Sequence, residues 1–291
     1  MDPLDPLSPR QRDRIATWFP GAVVEHDHSW GLVSTRVLQI RCAGERFIVK
    51  AAAPDDRHLI RELRAHREWL RPWTSRRLAP VLRYAAPEDQ ILATEFLPGR
   101  LVEGDAAADD PDTYRQAGRL LALLHDQPGS VDEGHEAREN ATILAWLTKP
   151  HRIDPDVARQ LRSEIESWPT PPARLVPTHG DWQPRNWLVD DQAAPGRDGR
   201  ASVVRAIDLG RAALRPAQTD LARLATQDFL RDRRFEAAFF EGYGPDPRDP
   251  PTWRGVQVRQ AIGTAVWAHE VGDTAFEAHG LRMIAQLGRP R

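Results

Sequence analysis

The chain has 291 residues, 41% hydrophobic and 28% charged, which suits one two-lobed domain or two modest ones and excludes a disordered or fibrous class. Forty basic against forty-two acidic side chains leave a formal charge of -2 with no long basic run, which argues against nucleic acid as a partner. No apolar stretch reaches the roughly 20 residues of a membrane span, Met1-Asp2-Pro3-Leu4 does not resemble a secretory signal, and the single cysteine, Cys42, excludes an intrachain disulfide, so a cytoplasmic protein with no membrane partner is expected.

Three short strands are predicted at the start, over residues 22–25, 35–40 and 46–50; the last two are joined through Cys42-Ala43-Gly44-Glu45, which suits a hairpin. His26-Asp27-His28 between the first two reads as a solvated loop, because no third metal ligand accompanies the histidines. Residues 57–69 carry Leu59, Ile60 and Leu63 at helical spacing and should pack on that sheet. Two more strands are expected over 81–84 and 90–96, the second ending at Pro98-Gly99 as a hinge would. Beyond it, 113–125 has the apolar spacing of a helix, 133–168 is mostly helical, and Pro169-Thr170-Pro171-Pro172 stops it. A strand precedes residue 179, another covers 187–189, 190–200 is a polar turn, and 202–207 is a strand. Helical regions over 219–242 and 253–287 complete the chain. Tryptophans such as Trp69, Trp73, Trp146, Trp168 and Trp267 fall in helical patterns that imply core packing.

The chemistry concentrates in His179-Gly180-Asp181-Trp182-Gln183-Pro184-Arg185-Asn186. Asp181 and Asn186 are separated as in the Asp-x-x-x-x-Asn of a kinase catalytic loop, where Asp takes the proton of the attacked alcohol and Asn binds Mg²⁺. Ile207-Asp208-Leu209-Gly210 follows as strand plus turn and places a second carboxylate like the metal-binding Asp of an Asp-Phe-Gly motif. Among the basic residues only Lys50 and Lys149 are not arginine, so Lys50, at a strand end, draws attention as a compact ammonium.

Residues 178–189 and 207–210 resemble the two signature blocks of the aminoglycoside phosphotransferase family, and the order of elements along the chain is similar to the family's. The resemblance implies an α+β, bilobal, protein-kinase-like fold: a small antiparallel-sheet N-lobe over 1–97 that binds nucleotide, a hinge near 95–100, and a mainly helical C-lobe over 98–291 for catalysis and acceptor binding. It implies Asp181 as catalytic base, Asn186 and Asp208 as Mg²⁺ ligands, and His179 and Asp220 as structural supports of the catalytic loop. Lys50 resembles the lysine that contacts nucleotide phosphates, with Glu62 preferred over Glu68 as its ion-pair partner. The turn over 28–35 stands where a phosphate-covering loop belongs, but it has one glycine, which leaves Ser29 or backbone N–H groups for the phosphates. Glu95, Phe96 and Leu97 should offer backbone groups to the purine. Leu209 stands where relatives often carry an aromatic residue.

The implied reaction moves the terminal phosphate of ATP or GTP, with Mg²⁺, to a hydroxyl of a small polar molecule. The family points to an antibiotic, aminoglycoside-like or a nucleoside antibiotic such as capuramycin, with resistance as the outcome. The alternatives are a metabolic kinase for choline, homoserine or a sugar, and a non-catalytic nucleotide-binding module. Glu270, Asp273 and Glu277 fall on one side of the last predicted helix, where they either line an acceptor pocket or form a solvated face.

Overall fold

Alternation of β-branched and polar residues builds a five-stranded antiparallel sheet at the start of the chain. The computed structural model describes residues 4–31, 34–54, 56–192 and 202–288. Its residues group into two compact units, the first formed by 1–127, 179–213 and 237–244, the second by 128–178, 214–236 and 245–291.

In the first unit, α1 (Pro9–Trp18) precedes β1 (Val23–Asp27), β2 (Arg36–Cys42) and β3 (Glu45–Ala51). Next come α2 (Arg57–Glu68), α3 (Arg71–Thr74), β4 (Leu82–Ala86) and β5 (Ile91–Glu95), and the sheet order is β1-β2-β3-β5-β4. Helix α1 starts on a capping box, Ser8 and Gln11 bonding each other's backbone, with Pro9 in the first turn. One sheet face, Leu38, Ile40, Phe47, Val49 and Ala51, packs with Ile15 and Phe19. Strand residues alternate faces. Lys50, between Val49 and Ala51 and opposite Leu92, therefore points to the other face, where Leu59 and Leu63 of α2 pack with Leu92.

The same unit holds β6 (Arg100–Leu101), α4 (Pro111–His125), β9 (Trp187–Asp190) and β10 (Val203–Ala206), with the sheet order β10-β9-β6. Gly99 takes φ +139°, and a Cβ there would stand 3.0 Å from both Leu188 Cβ and the Val189 carbonyl oxygen, so the link from β5 to β6 requires glycine.

The second unit carries β7 (Ser130–Asp132), α5 (His135–Trp146), α6 (Pro155–Glu166) and β8 (Ala173–Thr178), followed by β11 (Ala213–Arg215). A short 3-10 turn, Ala217–Leu221, leads to α7 (Ala222–Thr226), α8 (Asp228–Arg231) and α9 (Arg233–Tyr243), the last running on into the first unit. Helices α10 (Pro250–Val271) and α11 (Thr274–Leu287) close the chain. Val258, Ile262 and Val266 of α10 form a core with Ile143, Leu161, Ile165, Met283 and Ile284.

Three expectations need correction. His26 and Asp27 are not loop residues but the end of β1, carried there by a bulge after Val24. The region 219–242 is not one helix: it breaks at Gln227 and again at Asp232, which takes an extended conformation and caps α9 through the Arg234 N–H. The region 253–287 breaks at Gly272, whose left-handed φ of 78° ends α10, and Asp273 starts α11 by accepting from the Phe276 N–H. Most of the expected polar turn at 190–200 lies outside the described residues, as do Leu32 and Val33 of the expected phosphate-covering turn.

Candidate active site

The loop between β8 and β9 turns at Gly180, φ 79°, and His179 fixes it. Its Nδ1 accepts from the Asp181 N–H at 3.3 Å and its Nε2 reaches the Ile207 carbonyl at 3.0 Å. One nitrogen accepts, so the other carries the proton, and the imidazole ties the loop to the residue before Asp208. Beneath it Trp182 is buried with its ring 5.7 Å from that of Trp73 and 5.3 Å from that of Trp187. These closely packed, mutually tilted aromatics give the loop a stiff floor.

The Asp181 side chain is buried. Its Oδ1 accepts from Gln183 Nε2 at 2.7 Å and its Oδ2 from Arg185 Nη2 at 2.9 Å. Asn186 Nδ2 donates to the Asp181 carbonyl at 2.7 Å, which turns the amide oxygen of Asn186 the other way. The Asn186 carbonyl accepts from the Ile207 N–H at 3.0 Å, bringing Asp208 beside Asn186.

Lys50 Nζ lies 2.8 Å from Glu62 Oε2 and 2.9 Å from Asp208 Oδ1. Glu62 shares a helix face with Leu59 and Leu63, whereas Glu68 falls about 240° round the helix from Glu62 and pairs with Arg64 instead. Burial works against the Lys50 ammonium, but Asp208 and Glu62 outweigh it and raise its pKa. Asp208 is held well below the usual carboxylate range, chiefly by the charge of Lys50, while burial pushes the Glu62 carboxyl up. Asp208 takes a left-handed φ of 64°, unusual for a residue with a side chain. Leu209 behind it is buried, so an aliphatic side chain fills that position.

Of the other expected nucleotide contacts, Ser29 uses its hydroxyl to accept from the Val37 N–H at 2.9 Å, stapling the turn between β1 and β2. The Glu95 and Phe96 N–H groups bond the Val81 and Arg46 carbonyls, whereas Leu97 makes no backbone hydrogen bond among the described residues.

The remaining expected residues lie in the second unit. Asp220 is buried in the 3-10 turn Ala217–Leu221. Glu270, Asp273 and Glu277 do not share one helix face, because the chain breaks between them. Glu270 is an exposed partner of Lys149, Asp273 caps α11, and Glu277 is buried against His269 Nδ1 at 2.9 Å with Arg152 at 3.5 Å.

Three residues of the first unit were not singled out by sequence. Gln183 and Arg185 lie inside the motif, and their contact with Asp181 follows from the tight 3-10 turn Pro184–Asn186. His66 sits one turn after Glu62 on α2, its Nε2 4.0 Å from Glu62 Oε1 and its side chain 1% exposed. Neither ring nitrogen has a hydrogen-bond partner among the described residues, and burial, with the charge of Lys50, pushes its pKa down to about 4.

Asn186 and Asp208 form a donor set of one amide oxygen and one half-exposed carboxylate, hard ligands that suit Mg²⁺ and leave room for phosphate and water oxygens.

The sequence profile of the phosphotransferase enzyme family, APH, matches residues 28–257. No curated protein sequence matches the chain. Among solved structures, a thermostable mutant of aminoglycoside phosphotransferase APH(4)-Ia, in ternary complex with ADP and hygromycin B, superimposes with a TM-score of 0.69 at 13% identity, covering 96% of this chain and 99% of that one. Choline kinase LicA from Streptococcus pneumoniae gives 0.66 at 12% identity, covering 95% and 96%. Macrolide 2'-phosphotransferase MphH from Brachybacterium faecium gives 0.56 at 18% identity, covering 97% and 99%. These likenesses establish the mixed α+β kinase-like fold, and the profile match establishes the family: the chain belongs to the APH phosphotransferase family, whose members act on small molecules.

Proposed function

We propose that the chain is an Mg²⁺-dependent phosphotransferase that moves the terminal phosphoryl group of ATP or GTP to a hydroxyl of a small polar molecule in the cytoplasm. The observation that carries this reading is Lys50 held between Glu62 and Asp208, residues distant in sequence that meet in the unit that also holds Asp181. A lysine fixed by a buried carboxylate is a preorganised phosphate ligand. Leu97 offers its N–H and carbonyl to the base, and Asn186 and Asp208 would hold Mg²⁺, which when bound neutralises phosphate charge.

Asp181 orients the acceptor hydroxyl and receives its proton as the acceptor oxygen bonds to the terminal phosphorus. The bond from that phosphorus to the bridging oxygen breaks, the nucleoside diphosphate leaves, and Asp181 returns the proton to solvent. His179 acts through the loop and exchanges no proton with substrate, since both its nitrogens are engaged. Asp220, buried in the 3-10 turn of the second unit, has an architectural role.

The acceptor we favour is an antibiotic, aminoglycoside-like or a nucleoside such as capuramycin, with resistance as the consequence. Family membership supports this choice, as does the fold shared with structures that hold hygromycin B or spectinomycin. A metabolic alcohol such as choline is the second reading, favoured by the likeness to choline kinase. The test is Mg²⁺-dependent consumption of ATP and GTP against a panel of antibiotics and metabolic alcohols, with the product identified by mass. Asp181→Ala should lose about a hundred-fold or more in kcat, and full activity in that variant sinks the mechanism.

A further inference from the structure

The Asp181 carboxylate carries a cation. Arg185 Nη2 donates to Oδ2 at 2.9 Å while the neutral amide of Gln183 holds Oδ1 at 2.7 Å. Gln183 orients the carboxylate without changing its charge. Arg185 does something further: it sets a full positive charge on a planar fork of donors against the same carboxylate.

Three features point to a second anion for this cation. The Arg185 side chain is 36% exposed and reaches down to an Asp181 side chain that is 3% exposed, so the guanidinium lies on the open side of the base. Asp181 is its only hydrogen-bond partner among the described residues, and a guanidinium has about five N–H donors, so most of the fork is unspent. Arg185 also sits in the 3-10 turn Pro184–Asn186, in the chain between the base and the proposed metal ligand Asn186. Lys50, by contrast, is already shared by Glu62 and Asp208.

We propose that Arg185 is a catalytic phosphoryl-binding residue: it keeps one N–H on Asp181 and offers the others to the oxygens of the transferring terminal phosphoryl group. The inference rests on the kinase reading above and adds a residue to it. A phosphoryl group in flight spreads negative charge over its peripheral oxygens, and a planar fork matches two of them at once. By touching base and phosphoryl together, Arg185 lines up the hydroxyl held on Asp181 with the phosphorus it attacks. The guanidinium stays protonated throughout, and the bonds made and broken are those given above.

The test separates a phosphate ligand from a loop clamp. Arg185→Gln keeps a side-chain amide able to bond Asp181 but removes the charge and the fork; Arg185→Lys keeps the charge alone. Binding of Mg²⁺ with AMP-PNP or GMP-PNP, and of Mg²⁺ with ADP or GDP, is measured by calorimetry on the full-length chain, with melting temperatures taken without nucleotide. Arg185→Gln should weaken the triphosphate analogue at least about ten-fold and leave the diphosphate within about two-fold, with Arg185→Lys between it and wild type. If wild type binds both nucleotides and the triphosphate-to-diphosphate ratio is unchanged in Arg185→Gln, the role is wrong and the kinase reading stands. Equal weakening of both nucleotides, or failure of both variants to fold, makes Arg185 a structural clamp and overturns the proposal. A wild-type chain that binds neither nucleotide overturns the kinase reading and this inference with it.

Discussion

His66→Leu should make the protein more stable, and increasingly so as the pH falls. The imidazole is buried one helical turn from Glu62, with no hydrogen-bond partner for either nitrogen among the described residues. An unsatisfied buried polar group costs about 1–3 kcal/mol, and a leucine of similar size removes that cost. The pH dependence comes on top. Burial takes the pKa from 6.5, the ordinary histidine value, to about 4 in the folded chain. Below pH 6.5 the unfolded chain binds a proton that the folded chain refuses until about pH 4, so the native state loses stability throughout that interval. The full difference is worth about 3 kcal/mol, of which about 2 kcal/mol is lost by about pH 5. Urea unfolding of wild type and His66→Leu, followed by tryptophan fluorescence at about pH 7.5 and 5, isolates the contribution of His66, because every other titrating group is common to both chains. The variant should be ahead at the higher pH and further ahead, by about 2 kcal/mol, at the lower. A constant difference between the two pH values refutes the buried neutral imidazole, and a variant less stable at both refutes the claim that His66 lacks partners.

Two further predictions follow from the same unit. Glu62→Gln leaves Lys50 to close on Asp208 alone, so KM for the nucleotide should rise about ten-fold or more in steady-state assays, while Glu68→Gln, whose ion-pair partner among the described residues is Arg64, should leave it unchanged. Gly99→Ala should cost about 1–3 kcal/mol in thermal or urea unfolding, because alanine at φ +139° is strained and its Cβ meets Leu188 and Val189 at 3.0 Å.

The parts of this molecule that were readable in its sequence are those where a local pattern has one outcome. The hairpin of β2 and β3 was readable because strand periodicity and the Ala43-Gly44 turn agree, and both residues take positive φ. Helix α1 carries a start signal of its own, Ser8-Pro9 with Gln11 three residues after Ser8, although the helix is too short for its apolar spacing to announce it. The break at Gly272 illustrates the opposite case. Apolar spacing continues through α10 and α11, and only the left-handed glycine with its Asp273 cap divides them, which separates three acids that a continuous helix would have aligned. The candidate site divides in the same way. Spacing placed Asp181, Asn186 and Asp208 in order along the chain, since loop and strand lengths are local properties. The pairing of Lys50 with Glu62 needed the sheet face, because an i+6 difference on a helix decides nothing until the buried face is known. Arg185 and Gln183 stood in plain view within the motif. What they do depends on side-chain directions in a 3-10 turn, and those directions put a charge on one carboxylate oxygen of Asp181 and a neutral amide on the other.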